Sequence, residues 1–400
     1  MDIAQQRLSA TFNKFFDSEK SSGGLLIICT LFSLLVTNSS FGAAYVSFWQ
    51  VDVGGLNLEH WINDGLMAIF FLLVGLELER ELYSGELAQL KNALLPIVAA
   101  TGGMVAPALI HWSINAGTSM QAGFGIPMAT DIAFALGVLA VLGNRIPASL
   151  KVFVVAFAVI DDLGAIVLIA VFYTAQLSFW YLVGAVGVWI LLFALNRFFR
   201  VMSLFPYLLG GGLMWFLMLK SGIHATVAGV VLAFAIPFSH KDNDLKSPSH
   251  KLEDVLHIPA AFIILPIFAL ANTGIVVGTD WLYNMASTNS VGIIAGLMLG
   301  KPLGVTFLCY LAVASGISRL PPDVKWRHIS GAGILGGIGF TMSIFIGNLA
   351  FVGDMELINA AKMAILFASL TAGTTGFLWF TLLCKPEMTG SKTIVTGKAT

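Results

Sequence analysis

The chain has 400 residues, of which 57% belong to the hydrophobic set AVILMFWYC and only 11% are charged, against roughly 25% in ordinary soluble domains. So few charged side chains cannot cover the surface of a soluble protein of this length, and the composition therefore predicts a polytopic membrane protein. The formal net charge of −1 gives no indication of nucleic-acid binding. The three cysteines have unrelated spacings that predict neither a disulfide framework nor a metal motif.

Apolar runs of about 20 residues, enough to cross a hydrocarbon core of about 30 Å, recur along the chain and predict twelve spans. The predicted spans are residues 12–36, 59–84, 94–115, 121–143, 149–175, 179–199, 204–219, 222–239, 253–277, 290–314, 327–350 and 357–384. All are expected to be helices, because a sheet with open edges cannot satisfy its backbone hydrogen bonds in lipid. We expect an all-α polytopic fold with a single membrane domain over residues 1–400.

The distribution of basic residues predicts the orientation of these spans. When the N-terminus and every second loop are counted as one side, 18 of the 21 lysines and arginines fall on that side. Lys220 and Lys362 fall on the other side, and Lys301 lies within a span. The positive-inside rule therefore predicts that both chain termini are cytoplasmic.

The external loop after the first span, residues 47–58, alternates apolar and polar residues around Gly54-Gly55. This pattern predicts a short two-stranded β-hairpin. An isolated hairpin is marginally stable in water, so it needs a surface to pack on. That surface is either the same hairpin of a second protomer or the membrane domain of its own chain.

The fourth span opens with the sequence GFGIPMATD, which ends at Asp131. Glycine and proline at this density predict an interrupted helix, whose freed backbone groups need partners inside the protein. The fifth span carries Asp161 and Asp162 near its middle. Each carboxylate costs roughly 3 kcal/mol at mid-bilayer, which favours a functional role for them.

The tenth span combines a glycine stripe with a buried cation. Gly292, Gly296, Gly300 and Gly304 recur every fourth residue and predict close packing against another helix. Lys301 is the one basic residue deep in a predicted span, and it is therefore the expected partner of Asp161 or Asp162. A salt bridge that only fixes packing is the alternative, but it leaves two aspartates unexplained.

The eleventh span is the second one predicted to be interrupted. Its GGIGFTMSIFIG sequence loosely resembles GIPMATDIAFALG of the fourth span. The two breaks lie in the middle spans of residues 94–175 and 290–384, which begin on opposite sides of the membrane. This arrangement is typical of inverted repeats in transporters, whose binding site lies where the broken helices meet. Ordinary glycine-mediated helix packing is the alternative.

Carboxylates in such a site can exchange a proton for a hard cation that prefers oxygen ligands. Na⁺ requires the ionised carboxylate, and H⁺ abolishes it. Asp131, Asp162, the Thr130 hydroxyl and freed backbone carbonyls can supply the oxygens for Na⁺. Competition between the two ions for one site, with access alternating between the membrane faces, produces antiport. Asp131 and Lys301 can also offset the partial charges at the ends of the broken helices.

At this point the sequence resembles the NhaA-type sodium/proton antiporters over nearly its whole length. The resemblance rests on six segments: FFLLVGLELEREL at 70–82, MATDIAFALGVLA at 128–140, FAVIDDLGAI at 157–166, GIHATVAGV at 222–230, LGKPLG at 299–304 and GGIGFTMSIFI at 336–346. It implies an electrogenic antiporter of the bacterial inner membrane that expels Na⁺ or Li⁺ in exchange for H⁺. It also implies that the protein is not an enzyme, carries no cofactor and forms a homodimer through the hairpin.

The resemblance also implies roles for individual residues. Asp162 is the expected cation ligand and proton carrier, and Asp161 is the expected salt-bridge partner of Lys301. Asp131 and Thr130 are expected to support the site from the broken helix. The resemblance further implies that transport is switched on at alkaline pH and that five residues near the cytoplasmic face sense the pH: Glu77, Arg80, Glu81, Glu253 and His257. Anchoring at the membrane interface is the alternative role for these residues.

Two other functions compete with antiport. A sodium-coupled solute symporter of similar architecture would need a larger substrate cavity. An intramembrane aspartyl protease would use two aspartates, but it leaves the third aspartate and Lys301 without a role.

Overall fold

The computed structural model describes residues 21–174, 177–239 and 247–384. In these ranges the chain is mostly helical, with one two-stranded sheet. The elements in chain order are α1 (Ser21–Thr37), α2 (Gly42–Trp49), β1 (Asp52–Val53), β2 (Leu56–Asn57), α3 (Leu58–Tyr83), α4 (Leu90–Ile114), α5 (Ile132–Leu142), α6 (Ala148–Phe172), α7 (Phe179–Arg197), α8 (Phe205–Ser221), α9 (Val227–Ala233), α10 (Pro248–Asn272), α11 (Trp281–Met285), α12 (Thr288–Ala314), α13 (Trp326–Gly336), α14 (Phe340–Ala350) and α15 (Met355–Leu383). Short 3-10 helices cover Glu86–Ala88, Ser119–Met128 and Gly143–Arg145.

Eight helical segments in the described ranges are long and apolar enough to cross a membrane, and there are up to ten if each of two bent pairs counts as one span. The bent pairs are α1 with α2, at 119°, and α13 with α14, at 46°. These findings confirm a polytopic helical membrane protein. The start of the first predicted span, at residue 12, and both chain termini lie outside the described residues.

The predicted seventh and eighth spans are short in the structure. The seventh is α8, which has 17 residues. The eighth is represented by α9, a helix of only 7 residues. Gly222 ends the preceding helix α8 with a φ of 88°, and Pro237 follows α9. The count of twelve spans therefore stays a prediction.

The hairpin after the first span is confirmed. β1 pairs antiparallel with β2, and Asp52 lies opposite Asn57. Gly54 and Gly55 have φ values of 69° and 89°, which glycine adopts without a steric penalty. The indole N–H of Trp61, in the first turn of α3, donates a hydrogen bond of 2.8 Å to the carbonyl of Val53. The hairpin thus contacts its own membrane domain.

The glycine stripe of the tenth span lies against α4, as predicted. Gly304 of α12 faces the backbone of Gly102, and Gly300 faces Pro107. A Cβ atom at Gly304 would collide with the carbonyl oxygen of Gly102, so only glycine permits this approach. The close α4–α12 contact fixes the depth at which Lys301, the next residue after Gly300, enters the protein interior.

Candidate ion-binding site

Two interrupted helices meet at the centre of the protein, as the sequence predicted for the fourth and eleventh spans. The chain between the 3-10 helix Ser119–Met128 and α5 is extended at Ala129, and the chain between α13 and α14 is not helical at Ile338. The amide of Asp131 donates to the carbonyl of Ile338 at 2.6 Å, and the Thr130 hydroxyl donates to the carbonyl of Gly336 at 2.9 Å. Each break therefore supplies partners for backbone groups freed by the other.

Asp131 lies between the N-termini of two helices. Its Oδ1 accepts a hydrogen bond of 3.1 Å from the amide of Phe134, which caps α5. Its Oδ2 accepts from the amide of Thr341, in the first turn of α14, at 3.1 Å and from the Thr341 hydroxyl at 2.5 Å. Helix N-termini carry partial positive charge, so a single carboxylate stabilises both half-helix ends.

Lys301 is fully buried, and its ammonium group has two close oxygen partners. Nζ lies 2.7 Å from Oδ2 of Asp161 and 2.7 Å from the hydroxyl of Thr130. The sequence left the choice between Asp161 and Asp162 open, and the geometry pairs Lys301 with Asp161. A π-helical turn, Gly296–Gly300, directly precedes Lys301; such turns are frequent at functional sites.

Asp162 has a different environment from its neighbour Asp161. Consecutive helical residues point about 100° apart, so Asp162 faces away from Lys301 and into a cavity. Its side chain is buried, and its Oδ1 has no hydrogen-bond partner among the residues that the structure describes. A buried carboxylate oxygen without a donor requires an ion, a proton or water.

The cavity beside Asp162 has a volume of about 60 Å³, which is room for roughly four or five water molecules. Its polar wall contains Thr130, Asp131, Thr341, Glu77 and His257 together with Asp162, and the rest is apolar side chains of α3, α5, α10 and α14. Carboxylate and hydroxyl oxygens suit a hard cation. The small volume suits a partly hydrated ion better than an organic solute.

The five residues predicted to sense pH divide into two groups. Glu77 and His257 line the cavity, at the end of it that is predicted to face the cytoplasm. Arg80 lies 2.9 Å from Glu253 and 3.4 Å from Glu81, which forms an ion-pair network between α3 and α10.

Three further buried polar residues were not singled out from the sequence. Thr341 binds Asp131, and its position after the glycine-rich break, like that of Thr130 before Asp131, was the available signal. Glu79 is buried and accepts a hydrogen bond of 3.0 Å from the Ser249 hydroxyl. Lys362, which the loop count assigned to the external side, lies two turns inside α15 with only 6% of its surface exposed.

The chain matches a known protein family over most of its length. Residues 13–380 match the protein family described as Na⁺/H⁺ antiporter 1. A protein named Na(+)/H(+) antiporter NhaA from Dechloromonas aromatica (strain RCB) is 67% identical over 379 residues, which cover 95% of this chain and 97% of the relative.

More distant relatives show the same full-length match. A Na(+)/H(+) antiporter NhaA from Cytophaga hutchinsonii is 55% identical over 97% of this chain and 99% of its own length. Another relative of that name, from Aliivibrio salmonicida, is 47% identical over 93% of this chain and 97% of its own length.

Proposed function

The chain belongs to the Na⁺/H⁺ antiporter 1 family and exchanges Na⁺ for H⁺ across a membrane, and we propose that both ions bind at the carboxyl group of Asp162. It is a transporter and not an enzyme. The observation that carries the proposal is the buried, unpartnered Oδ1 of Asp162 at the wall of the cavity. Thr130 and Asp131, which line the same cavity, contribute oxygen atoms near the bound Na⁺.

The exchange follows from competition at one group. Na⁺ binds the ionised Asp162 carboxylate, and a proton displaces it because the neutral carboxyl group attracts a cation weakly. If the site faces one side of the membrane at a time, each Na⁺ released to one side must be replaced by H⁺ before the site returns. Asp131 holds the two half-helix ends in place through its three hydrogen bonds.

The Asp161–Lys301 pair provides a second place where a proton can be held. Lys301 carries its proton while it is paired with Asp161 at 2.7 Å, and release of that proton during the cycle adds a charge to the exchange. Transport is then electrogenic, and the proton-motive force expels Na⁺ or Li⁺. The transported ions are Na⁺, Li⁺ and H⁺, and the cycle uses no cofactor.

The proposal also covers the number and orientation of the membrane spans. The chain forms twelve spans in the bacterial inner membrane with both termini cytoplasmic, supported by the excess of basic residues in alternate loops. Residues 94–175 and 290–384 form the inverted repeats, supported by the break in the middle of each. The hairpin 47–58 is the contact between two protomers in a homodimer.

We propose that the residues at the cytoplasmic end of the cavity sense pH and switch transport on at alkaline pH. Arg80 pairs with Glu81 and Glu253 in an ion-pair network that connects α3 and α10. Glu77 and His257 share the cavity wall with Asp162, so their charges act on the cation site through a short, poorly screened path.

The direct test compares wild type with Asp162→Asn in everted membrane vesicles from an antiporter-deficient strain. After respiration has acidified the vesicle interior, addition of Na⁺ or Li⁺ should collapse the pH gradient in wild type, and K⁺ should not. Asp162→Asn should abolish the collapse at every pH while protein abundance stays normal. Asp280→Asn, which changes an exposed aspartate in an external loop, should behave like wild type. Normal exchange by Asp162→Asn would overturn the assignment of the site.

The pH dependence of the same assay tests competition. At pH values where the Asp162 carboxyl is partly protonated, each unit of pH decrease should raise the apparent KM for Na⁺ by up to about tenfold without changing the maximal rate. A KM that does not depend on pH, with a maximal rate that falls, would indicate separate sites for Na⁺ and H⁺.

A further inference from the structure

Three helices that line the cavity carry a second polar layer at a different depth. Phe70 of α3, Leu265 of α10 and Thr341 of α14 belong to the cavity wall. Each of the three helices carries an asparagine seven residues away from its cavity-lining residue. This is two helical turns, or about 10 Å, further from the predicted cytoplasmic end. We call these three residues the amide layer: Asn63, Asn272 and Asn348.

The side chains of the amide layer are hydrogen-bonded to one another across the helices. Nδ2 of Asn272 donates to Oδ1 of Asn63 at 2.8 Å, and Nδ2 of Asn348 donates to Oδ1 of Asn272 at 2.6 Å. Asn272 is fully buried, and Oδ1 of Asn348 is buried with no hydrogen-bond partner in the described part of the chain.

An apolar layer adjoins the amide layer. Phe268 of α10 and Phe345 of α14 lie between the cavity-lining residues and the asparagines along their helices, and Phe71 of α3 is next to the cavity-lining Phe70. All three phenylalanines are at most 1% exposed. The ring of Phe345 lies 5.7 Å from that of Phe71 and 6.4 Å from that of Phe268, measured between centroids. Together the two layers separate Asp162 from the side of the membrane that the loop charges predict to be external.

We propose that the apolar and amide layers form the external gate of the exchange, and that the hydrogen bond between Asn348 and Asn272 is the contact that breaks when the gate opens. This inference rests on the antiport function proposed above, which requires access to Asp162 from one side at a time. Because both layers lie on the predicted external side of Asp162 and their side chains are in contact, the structure corresponds to a gate that is closed on that side.

The interruption between α13 and α14 indicates which contact moves when the gate opens. α14 is the second half of an interrupted pair, bent at 46° to α13, whereas Asn63 and Asn272 lie in the unbroken helices α3 and α10. A tilt of α14 therefore separates Asn348 and Phe345 from the other helices and leaves the Asn63–Asn272 bond intact. When the layers separate, the amide oxygens face the opened path and can replace water around a passing Na⁺.

Thiol labelling tests the gate in the full-length protein. Phe268→Cys keeps the Asn348–Asn272 bond and places a thiol behind the amide layer. In this variant a membrane-impermeant methanethiosulfonate should react from the external side, and the reaction should be several-fold faster while Na⁺ and pH gradients drive turnover. Wild type is the matched control, because its three cysteines are all buried. Addition of Asp162→Asn to the cysteine variant should remove the acceleration. A reaction that turnover does not change, one that occurs only from the cytoplasmic side, or no reaction from either side would overturn the proposal.

Transport kinetics give a second test that does not need a reactive cysteine. Asn348→Ala removes a bond that holds the gate closed, so the population open to the outside should increase. The apparent KM for Na⁺ should then rise several-fold at the cytoplasmic face, measured in everted vesicles, and fall at the external face, measured in right-side-out vesicles. Asn196→Ala, which removes another half-buried amide with one hydrogen bond of 3.1 Å, should change neither value.

These outcomes separate the gate from the function on which it rests. An Asn348→Ala protein with unchanged KM at both faces overturns the gate, whereas wild-type exchange in the same vesicles leaves the antiport function intact. Absence of exchange in wild type would instead refute the proposed function itself.

Discussion

The ammonium group of Lys301 lies 2.7 Å from the carboxylate of Asp161, and neither side chain is exposed. The Thr130 hydroxyl, which Lys301 also contacts, is in turn bonded to the carbonyl of Gly336. The pair thus connects α6, α12 and both interrupted helices, so it has a structural role as well as any role in proton transfer.

Removal of Lys301 is expected to destabilise the protein strongly. Lys301→Ala leaves the Asp161 charge buried without its partner, which typically costs about 3–5 kcal/mol. The melting temperature of the purified protein in detergent should fall clearly, whereas Lys220→Ala, at the end of α8, should have little effect. Unchanged melting of Lys301→Ala would refute the pair, and recovery of stability in Lys301→Ala/Asp161→Ala would support it.

Substitution of Asp131 and substitution of Asp162 are expected to have different effects on stability and transport. Asp131→Asn keeps the side-chain shape but loses the charge that stabilises the N-termini of α5 and α14, an effect of about 1–2 kcal/mol. We expect lower stability and slower exchange, with competition between Na⁺ and H⁺ retained. Thr341→Val, which removes one hydrogen bond to Asp131, should produce a smaller change of the same kind.

The contrast between these two carboxylates is measurable by Na⁺ binding. Isothermal titration of the purified protein at alkaline pH should still detect Na⁺ binding in Asp131→Asn and none in Asp162→Asn. Equal loss of binding in both variants would make Asp131 a ligand of the same rank as Asp162.

The sequence singled out the charged residues of the candidate site but not the contacts between them. Charged residues are so costly in a membrane core that Asp131, Asp161, Asp162 and Lys301 stood out without any structure. Which aspartate pairs with Lys301 depends on the rotation of α6 against α12, and residue spacing does not encode that rotation. Thr341 escaped notice because hydroxyl groups are common in membrane helices and cost little there.

The fold, too, was predicted only in part. Both interrupted helices and the hairpin turn were predicted, because glycine and proline change the backbone locally. The short α9 was predicted as a full span, since apolar composition alone does not reveal that only 7 residues are helical. The buried Glu79 was not singled out because it lies near the end of α3, where charged side chains normally reach solvent.

Neutralisation of Glu253 is expected to shift the pH range of activity. In Glu253→Gln, Arg80 loses an anionic partner at 2.9 Å, and its positive charge then favours the ionised forms of the carboxyl groups near the cavity. Na⁺ competes better with H⁺ at ionised groups, so the activation profile should move to lower pH by about 0.5–1 unit. The measurement is Na⁺-dependent collapse of the pH gradient between pH 6.5 and 8.5.

The neighbouring Asp254 provides the matched control for this prediction. Its side chain is exposed, and Asp254→Asn changes the formal charge by the same amount as Glu253→Gln. If both variants shift the profile equally, the effect is one of surface charge and the Arg80–Glu253 pair has no special role.

The hairpin is expected to hold two protomers together. Only two residues of each strand are paired, and so small a hairpin is marginal on its own, although Trp61 anchors it to α3. Val51 and Val53 are 49% and 48% exposed in one protomer, an apolar surface that a second hairpin can cover.

Val51→Ser/Val53→Ser should therefore convert the dimer to a monomer, as measured by light scattering of the detergent-solubilised protein, while Na⁺/H⁺ exchange persists. Val276→Ser/Val277→Ser changes two valines of similar exposure in another loop on the same predicted side, and it should leave the mass unchanged. A dimer that survives the first substitution but not the second would locate the contact at the loop after α10 instead.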